Sequence, residues 1–332
     1  MSLQTQFYHE NVPVLLEGDE LFAGGARVGT YKSKIYDFIG NTSDEDAKSW
    51  DYQWEIFKEL HTKALEHYPN FNEKNFTSQF KIDLSTVQGA GKKILDAGAG
   101  TGRNARMLAS HDFEVYALDG SKSAYYQSVS SEDKRIIWVR SPLAQLPMRT
   151  GFFDGILCDG VIPHVSKIDN VLHEFHRALA PNGVLFLSYS SPPKELFSAH
   201  NMVKIYRIFT TRMKYENILR LAKFLSSFYV LVKALKVPNI LKRIPLLLVP
   251  DQSSYDQWRE CYIFDRLSAK NWNFYKRDHF KKLLNKAGFS IIGESEYRCS
   301  FVCIKNEALP NLSSIINELG LAPNSSKGMS CE

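Results

Sequence analysis

The sequence predicts an α/β fold in which helices cover a doubly wound, parallel sheet. From residue 92 to about residue 190, short apolar segments alternate with amphipathic helical segments, a pattern typical of parallel strands joined by crossover helices. The first strand, Ile94–Asp96, runs into a glycine-rich loop, and a helix begins at Arg103 directly after this loop. A hydrophobic content of 44% and a charged content of 23% are ordinary for a globular protein with a full core.

The predicted elements follow one another in a regular order. Each strand is a short run of apolar residues, and each helix repeats its apolar residues at a spacing of three or four. The strands are 94–96, 114–118, 136–139, 155–158 and 184–189, with helices at 103–110, about 124–130 and 169–179; a helix at 277–286 and two closing strands at 289–293 and 299–305 come later.

Five segments of the chain differ in composition and in predicted structure. Trp50–His67 is the clearest element of the N-terminal part, because Trp54, Phe57 and Leu60 recur at helical spacing. The alternation of strands and helices stops near residue 192 and resumes near residue 271. The predicted segments are an N-terminal helical and irregular lid (1–90), a core (91–191), a helical, basic insertion after the fifth strand (192–270), the end of the core (271–305) and a partly disordered tail (306–332).

Charge and cysteine content argue against several classes of protein. The net charge of +5 over 332 residues is too small to indicate nucleic-acid binding. The N-terminus has no basic segment followed by an apolar run, and no apolar run of 18 or more residues predicts a membrane-spanning helix. The five cysteines are odd in number and scattered, which favours reduced thiols and a cytoplasmic protein, and their spacing predicts no metal site.

The glycine loop indicates which ligand the edge of the sheet binds. Gly98, Gly100 and Gly102 can adopt positive φ and let a ligand approach the backbone, and the N-terminus of the next helix faces that ligand. A dinucleotide-binding loop has the pattern G-x-G-x-x-G, but Arg103 stands where the third glycine would be. Asp96, just before the loop, would repel a pyrophosphate and attract an ammonium group. The loop therefore fits an aminoacyl nucleoside better than a dinucleotide.

The segment ILDAGAGTG resembles the first motif of class I S-adenosylmethionine-dependent methyltransferases. The similarity covers residues 92–190 and 272–305, and it implies a Rossmann-like, seven-stranded sheet with an antiparallel closing strand and S-adenosylmethionine as the cofactor. The other matching motifs, in order, are Asp119 after the second strand, Leu146-Pro147 with Phe153-Asp154, the loop 160–164, which is similar to the GVLHH loop of the type-11 group, the P-N-G turn at 181–183 and the late segment 273–289.

The resemblance also implies a set of cofactor-binding residues. In the family, the acid after the second strand holds the ribose hydroxyls, which gives this role to Asp119. The aspartate that often follows the third strand and contacts adenine is missing here, so that Ser141 or backbone groups would replace it. Arg103 is a candidate partner for the methionine carboxylate, with surface solvation as the alternative. The predicted cofactor-binding residues are Asp96, Ala97, Gly98, Gly100, Gly102, Arg103, Asp119, Gly120, Ser141, Leu143 and Asp159.

His164 and Asp159 are the catalytic candidates, because both follow the fourth strand at the edge where open α/β sheets bind ligands. An imidazole side chain suits proton removal at neutral pH, so His164 can take a proton from an acceptor, or it can simply pack the loop. Asp159 is assigned to the acceptor or to the ammonium group of the cofactor, with a solvated loop acid as the alternative. A lid over the cofactor, or ordinary helix packing, is predicted for four aromatic residues, namely Tyr31, Trp50, Tyr52 and Trp54.

The insertion combines basic and apolar residues. Between Leu196 and Pro250 there are ten lysines and arginines but only one acid, Glu216, and the same stretch is rich in Leu, Ile, Val and Phe. Basic and apolar residues together are typical of an amphipathic surface. Three interpretations remain open: a lid over a hydrophobic or anionic acceptor, peripheral contact of 196–250 with an anionic membrane, or a helical subdomain whose lysines are only solvated.

Together these observations predict an S-adenosylmethionine-dependent methyltransferase. Its acceptor is a small molecule or a lipid- or sugar-linked intermediate, and the sequence leaves open whether oxygen, nitrogen or carbon is methylated. One alternative is a catalytically silent subunit that binds the cofactor; another is an NAD-dependent oxidoreductase, which Arg103 disfavours. No nucleic-acid substrate is predicted, because the loop 159–162 is not the N/D-P-P-Y type that acts on base amines. The oligomeric state is open.

Overall fold

A computed structural model describes residues 3–39, 47–67, 71–127, 133–192, 199–235, 256–296 and 299–318. Within these residues, twelve strands form one mixed sheet in the order β1-β2-β3-β4-β5-β8-β7-β6-β9-β10-β12-β11. The strands are β1 Leu3–His9, β2 Val12–Glu17, β3 Glu20–Ala23, β4 Ala26–Lys32, β5 Ile35–Asp37, β6 Lys93–Ala97, β7 Glu114–Asp119, β8 Ile136–Arg140, β9 Phe153–Cys158, β10 Leu179–Ser188, β11 Phe289–Ser295 and β12 Ser300–Lys305.

The strands from β6 onward form the Rossmann-like part of the sheet. Strands β6 to β10 pair in parallel, in the order β8-β7-β6-β9-β10. Strand β12 pairs antiparallel with both β10 and β11 at the far end. The predicted count of seven strands is wrong for the sheet as a whole, because β1 to β5 add five more strands at its other end.

The N-terminal segment is a β-meander where the sequence analysis predicted a helical and irregular lid, so that prediction is wrong for residues 3–37. Every connection in the meander is a two-residue hairpin turn. Positive φ angles occur at both residues of Glu10-Asn11, Gly24-Gly25 and Ser33-Lys34, and at Gly18 in the remaining turn. Turns with positive φ match the twist of paired strands and therefore favour tight hairpins. Apolar residues alternate along the strands between these turns, and three of them, Phe7, Val14 and Leu21, are fully buried.

The meander joins the rest of the sheet through β5, which pairs in parallel with β8. An ion pair fixes this junction, since Nη1 of Arg140 lies 3.1 Å from Oδ2 of Asp37 and both side chains are buried. The hydroxyl group of Tyr125 donates a hydrogen bond of 2.5 Å to the same carboxylate oxygen. Removing one member of a buried pair leaves an uncompensated charge, so the junction depends on all three residues.

Helices pack against both faces of the sheet, as the predicted alternation requires. Apolar residues of α5 and α9, such as Phe175 and Phe280, belong to one core cluster, whereas Phe76 of α2 and Leu108 of α3 belong to a second cluster on the other face. The described helices are α1 Lys48–His67, α2 Phe71–Phe80, α3 Arg103–Ser110, α4 Ser123–Gln127, α5 Ile168–Ala178, α6 Ala199–Thr210, α7 Tyr215–Ala234, α8 Asp256–Ser268, α9 Arg277–Lys286 and α10 Leu312–Glu318.

A helical cap with its own apolar core stands beside the sheet. It comprises α1 from the N-terminal part and α6, α7 and α8 from the region after the fifth Rossmann strand. Phe264 of α8 contacts the rings of Tyr52 and Phe57 of α1, with ring centroids 5.6 and 6.3 Å apart. The segment predicted as a helical, basic insertion therefore shares a core with α1 of the segment predicted as a lid. Residues 193–198 and 236–255 of the predicted insertion lie outside the described residues.

The beginning of the predicted disordered tail is helical. Residues Asn306–Asn311 form a 3-10 helix and α10 follows, so the prediction of disorder is wrong for residues 306–318. Ala308 and Ile315 are buried against the sheet, which explains why this segment is ordered although its polar composition gave no indication of a helix. Residues 319–332 lie outside the described part. Among the described helices, none has the length and apolar character needed to cross a membrane.

Candidate functional site

The glycine loop that follows β6 adopts a conformation that glycine favours. The φ angles of Gly98, Gly100 and Gly102 are +83°, +51° and +71°. A Cβ atom on Gly98 would lie 2.3 Å from Cγ2 of Val161, and one on Gly102 would lie 2.5 Å from Cη2 of Trp138. The loop therefore packs closely against neighbouring side chains. Any residue other than glycine at these positions would also have a strained backbone. The prediction of a glycine-dependent turn fits this geometry.

Asp119 is the last residue of β7, the strand beside β6, and it binds the glycine loop through its carboxylate. Its Oδ2 accepts a hydrogen bond of 2.8 Å from the backbone N–H of Gly100, and its Oδ1 accepts hydrogen bonds from the N–H and hydroxyl groups of Ser121. These bonds orient the carboxylate at the carboxyl edge of the sheet. Asp119 therefore links the glycine loop to the loop after the second Rossmann strand, where a ribose would bind in the related family.

Asp96 is the most unusual group in the site, because its carboxyl group is buried and one oxygen, Oδ2, has no hydrogen-bond partner among the described residues. Burial raises the pKa of Asp96 to about 7; a hydrogen bond from the backbone of Ala105 lowers it, and the charges of Asp159 and Asp119 raise it further. An unpaired buried carboxylate is costly, so that a cationic partner would stabilise it.

Asp159 follows β9 and completes a group of three carboxylates at the edge of the sheet. Its Oδ1 accepts hydrogen bonds of 2.8 Å from Nε2 of Gln79 and 2.7 Å from the hydroxyl group of Ser188. These two residues come from α2 and from the end of β10, so three separate elements hold the carboxylate. Three acids around one loop create a negative potential that attracts a cation and repels a pyrophosphate.

A small cavity lies beside this group. Its lining includes Arg103 and Asn104 from the start of α3, Asn75 and Gln79 from α2, and Asp159. Arg103 is exposed, and its charge lowers the pKa of Asp96. The lining thus includes both a cation and a carboxylate, which is the donor and acceptor set that a zwitterionic amino-acid group requires.

The remaining predicted cofactor residues lie on or beside the same edge. Ala97 is buried in the last position of β6, and Gly120 follows Asp119 directly. Ser141 is buried and its hydroxyl group donates a hydrogen bond of 3.1 Å to the carbonyl of Gln145 within its own loop. Leu143 packs against the core. The roles of these residues at the cofactor stay predictions.

Helix α1 places two of the four predicted aromatic residues beside the glycine loop and the loop after β9. The Trp54 ring lies at Gly100, where a Cβ atom would be 3.1 Å from Cζ2 of the indole. The Trp50 ring stands edge-on to the ring of His164, with centroids 5.0 Å apart. The other two lie elsewhere: Tyr52 packs inside the helical cap, and the ring of Tyr31 contacts that of Tyr36 of the meander at a tilt of 34°.

His164 ends a 3-10 helix, Ile162–His164, in the loop after β9. Its Nδ1 lies 3.0 Å from the backbone carbonyl oxygen of Asn271. Because a carbonyl oxygen only accepts hydrogen bonds, Nδ1 carries the proton and Nε2 of the neutral ring is left as the basic nitrogen. The strap 271–273 also holds the loop through the backbone N–H of Asn273, which donates to the carbonyl of Pro163 at 2.7 Å.

The helical cap supplies a further acid near His164. Asp265 of α8 is half-buried, and burial raises its pKa, whereas the charges of His164, Arg266 and Arg207 lower it. Its Oδ1 has no hydrogen-bond partner among the described residues. A buried carboxylate stabilises a nearby imidazolium, so the cap can affect proton transfer at His164.

Sequence reasoning missed several of these residues for identifiable reasons. Ser188 stands at the carboxyl end of β10, and the rule that ligands bind at this edge could have found it. Gln79, Asn271 and Asp265 lie on segments far from the motifs in sequence, and only the packing of α2 and the cap brings them to the site. No local pattern identifies them.

Comparison with known proteins gives partial similarities. Residues 95–187 match the sequence model of a family described as "Methyltransferase domain". The chain is 30% identical over 114 residues to the ubiquinone/menaquinone biosynthesis C-methyltransferase UbiE of Rubrivivax gelatinosus, covering 34% of this chain and 45% of that protein. It is 26% identical over 147 residues to 24-methylenesterol C-methyltransferase 3 of Arabidopsis thaliana, covering 42% and 40%.

One solved structure with partial similarity is PKMT2 from Rickettsia typhi, with a TM-score of 0.48 and 19% sequence identity over 70% of this chain and 51% of that chain. The same protein is also known in complex with AdoHcy. The chain spans less than half the length of the two curated relatives that it matches here.

Proposed function

We propose that the protein is a class I S-adenosylmethionine-dependent methyltransferase that transfers the methyl group of S-adenosylmethionine to a small-molecule acceptor. The observation that carries the proposal is the convergence of Asp96, Asp119 and Asp159 around the glycine loop. S-Adenosylmethionine has two cationic groups, a sulfonium and an ammonium, and three carboxylates at one edge of the sheet suit both. The same carboxylates would repel the pyrophosphate of a dinucleotide.

The residues present fit this cofactor. Asp119 would accept hydrogen bonds from the ribose hydroxyls, and Oδ2 of Asp96, which no described residue pairs, would be a partner for a cation. In the small cavity beside them, Arg103 would hold the carboxylate of the methionine part and Asp159 its ammonium group. When bound, S-adenosylmethionine supplies an electrophilic methyl group on a good leaving group. The protein mainly has to position the acceptor, which lowers the barrier of an in-line displacement.

His164 is proposed as the general base. The bond between Nδ1 and the carbonyl of Asn271 leaves Nε2 to take a proton from the acceptor, and the edge of Trp50 limits the rotation of the imidazole ring. Asp265 would stabilise the imidazolium that forms. A base at this position suits an acceptor whose methylated atom carries a hydrogen. Proton removal of this kind contributes about 10²–10⁴-fold to the rate.

We propose an apolar acceptor, bound where α1 and the helical cap face the glycine loop. Aromatic rings of α1 stand at both Gly100 and His164, so they would pack against the acceptor and exclude water from it. The relatives named above are methyltransferases of ubiquinone and menaquinone biosynthesis and of a sterol, which supports an apolar acceptor class for this chain as well.

Calorimetric titration with S-adenosylhomocysteine tests the cofactor site. Asp119→Ala should bind about ten- to a hundredfold more weakly than the wild type, because a hydrogen bond to a charged group contributes about 1.5–3 kcal/mol. Asp169→Ala removes an exposed carboxylate on α5 that pairs with Lys286 and serves as the matched control, with unchanged affinity expected. Equal affinity of Asp119→Ala and the wild type, with both variants folded, would contradict the proposed site.

A turnover assay separates an enzyme from a silent binding subunit. Release of S-adenosylhomocysteine is measured while purified protein is incubated with fractionated apolar metabolites. Turnover that depends on one fraction and is reduced in His164→Gln supports the enzyme. Tight binding of S-adenosylhomocysteine without turnover on any fraction would favour the silent subunit instead.

A further inference from the structure

Helix α6 turns an apolar face toward solvent. Val203, Arg207 and Thr210 form its buried side, and the hydroxyl group of Thr210 donates to the carbonyl of Leu267 at the end of α8. This contact fixes the rotation of the helix. The opposite side carries three large apolar side chains at helical spacing, with exposed fractions of 51% for Ile205, 54% for Ile208 and 68% for Phe209.

Helix α7 repeats the arrangement. Its buried side, which includes Ile218, Ala222 and Val232, packs into the core of the helical cap. Its outer side carries Phe224 and Leu231, seven residues apart, and Leu235 follows four residues later, just after the helix. The exposed fractions are 65% for Phe224, 54% for Leu231 and 64% for Leu235. Residues at these spacings lie on one face of a helix.

This concentration of exposed apolar residues is not general to the surface. Of twelve large apolar side chains that are exposed in the described part of the chain, eight belong to the segment 205–235. Single exposed apolar residues are ordinary, whereas groups of them mark an interaction surface. We call the outward-facing residues of α6 and α7, from Lys204 to Leu235, the outer cap face.

The outer cap face is also strongly basic. Its exposed charged residues are six cations and one acid, and the sequence continues through residues 236–250 with three further cations and no acid. Apolar side chains beside a surplus of positive charge match the interface of an anionic bilayer. The six exposed cations are Lys204, Arg212, Lys214, Arg220, Lys223 and Lys233, and the acid is Glu216.

We propose that the outer cap face docks on an anionic lipid bilayer. Its apolar residues would enter the boundary between headgroups and acyl chains, while the cations would pair with lipid phosphates and carboxylates. Self-association through this face would bring the same basic residues of two copies together, which their repulsion opposes. An acceptor lid would need its apolar residues to face the site, whereas these side chains point away from the core of the cap. The proposal does not depend on the proposed methyl transfer.

Sedimentation with vesicles tests the docking of the full-length protein. Vesicles of phosphatidylcholine with phosphatidylserine should bind the protein, vesicles of phosphatidylcholine alone should bind it much less, and added salt should weaken the binding. Phe224→Ser combined with Leu231→Ser should lower the partition coefficient at least tenfold, because two apolar side chains leave the bilayer interface. Arg220→Gln combined with Lys223→Gln should lower it about tenfold or more.

Matched controls remove the same groups elsewhere on the surface. Leu309→Ser removes an exposed apolar side chain, and Lys282→Gln with Lys286→Gln removes two exposed charges from α9. These controls should bind vesicles like the wild type. Thermal unfolding and the affinity for S-adenosylhomocysteine should be unchanged in every variant, so that a failure of docking is distinguished from a failure of the cofactor site.

Three results would overturn the proposal. The first is no binding to phosphatidylserine vesicles, and the second is binding that the Phe224→Ser and Leu231→Ser pair leaves unchanged. The third is a dimer in light scattering that the same pair dissolves, without any vesicle binding, which would assign the face to a second copy of the chain.

Discussion

The carboxyl group of Asp96 is buried, so its ionisation costs the folded protein free energy, and Asp96→Asn should change how stability depends on pH. The pKa is raised by burial from 3.8 to about 7. The unfolded chain therefore releases this proton at a lower pH than the folded protein does. The stability associated with the protonated carboxyl is complete below about pH 4 and is lost as the pH rises through about 7.

The size of the effect follows from the two pKa values. A difference of about three pKa units lowers the free energy of unfolding by roughly 4 kcal/mol between the acid limit and pH 8. About 3 kcal/mol of this loss falls between pH 5 and pH 8. Asparagine cannot ionise, so the stability of Asp96→Asn relative to the wild type should increase by that amount over this range. Burying the asparagine amide can have a free-energy cost of its own, but this cost does not vary with pH. It shifts the difference in stability between the two proteins by the same amount at every pH.

Urea unfolding of both proteins without ligand, at intervals between pH 5 and pH 8, measures this difference. Other titrating groups are common to the two proteins and cancel in the comparison. A constant difference across the range would refute the reasoning, because it would mean that Asp96 ionises at the same pH in the folded and unfolded chains. The ammonium of S-adenosylhomocysteine, which Asp159 holds in the proposed site, is a positive charge close enough to favour the ionised form of Asp96. Wild-type affinity should therefore also rise from about pH 6 to pH 8, and Asp96→Asn should lose this dependence.

Three further predictions concern catalysis and folding. His164→Gln should lower kcat on the active acceptor about 10²–10⁴-fold, with little change in the Kd for S-adenosylhomocysteine, as steady-state kinetics and calorimetry would report. Asp37→Asn leaves a buried guanidinium without its counter-charge and should destabilise the protein by about 3–5 kcal/mol in urea unfolding. Gly98→Ala should destabilise more than Gly91→Ala, since both glycines have positive φ but only a Cβ atom on Gly98 would clash, with Val161.

Matched variants make these three results decisive. Unchanged kcat in His164→Gln would remove the general-base role, whereas a loss of binding as well would point to a structural role. Asp133→Asn, which alters a partly exposed pair with Arg135, should cost far less than Asp37→Asn; equal costs would contradict the argument from burial. Val161→Ala should partly restore the stability of Gly98→Ala, and a lack of rescue would show that the clash is not the cause.

Much of the core could be predicted because its patterns are local. The helix Arg103–Ser110 and the helix Arg277–Lys286 have the predicted bounds, and the predicted strands from 94–96 onward lie within observed ones or extend past one end of them by a single residue. The spacing of apolar residues and the glycines at the ends of elements indicate such strands and helices within a short stretch of sequence. The N-terminal meander has equally local indications, in the turn pairs Gly18-Asp19 and Gly24-Gly25, but the clear helix at Trp50–His67 dominated the interpretation of that region.

The sequence by itself determined the chemistry of the glycine loop and the positions of the acids at the ends of successive strands, because local sequence patterns are enough to identify glycines and strand ends. Only the tertiary structure decided that Asp96 is buried with an oxygen that no described residue pairs, that Gln79 holds Asp159, and that Asn271 sets the tautomer of His164. Burial, pKa and hydrogen-bond partnership depend on contacts between segments far apart in sequence. Such contacts form only when the sheet, α2 and the helical cap pack together, and no local pattern encodes them.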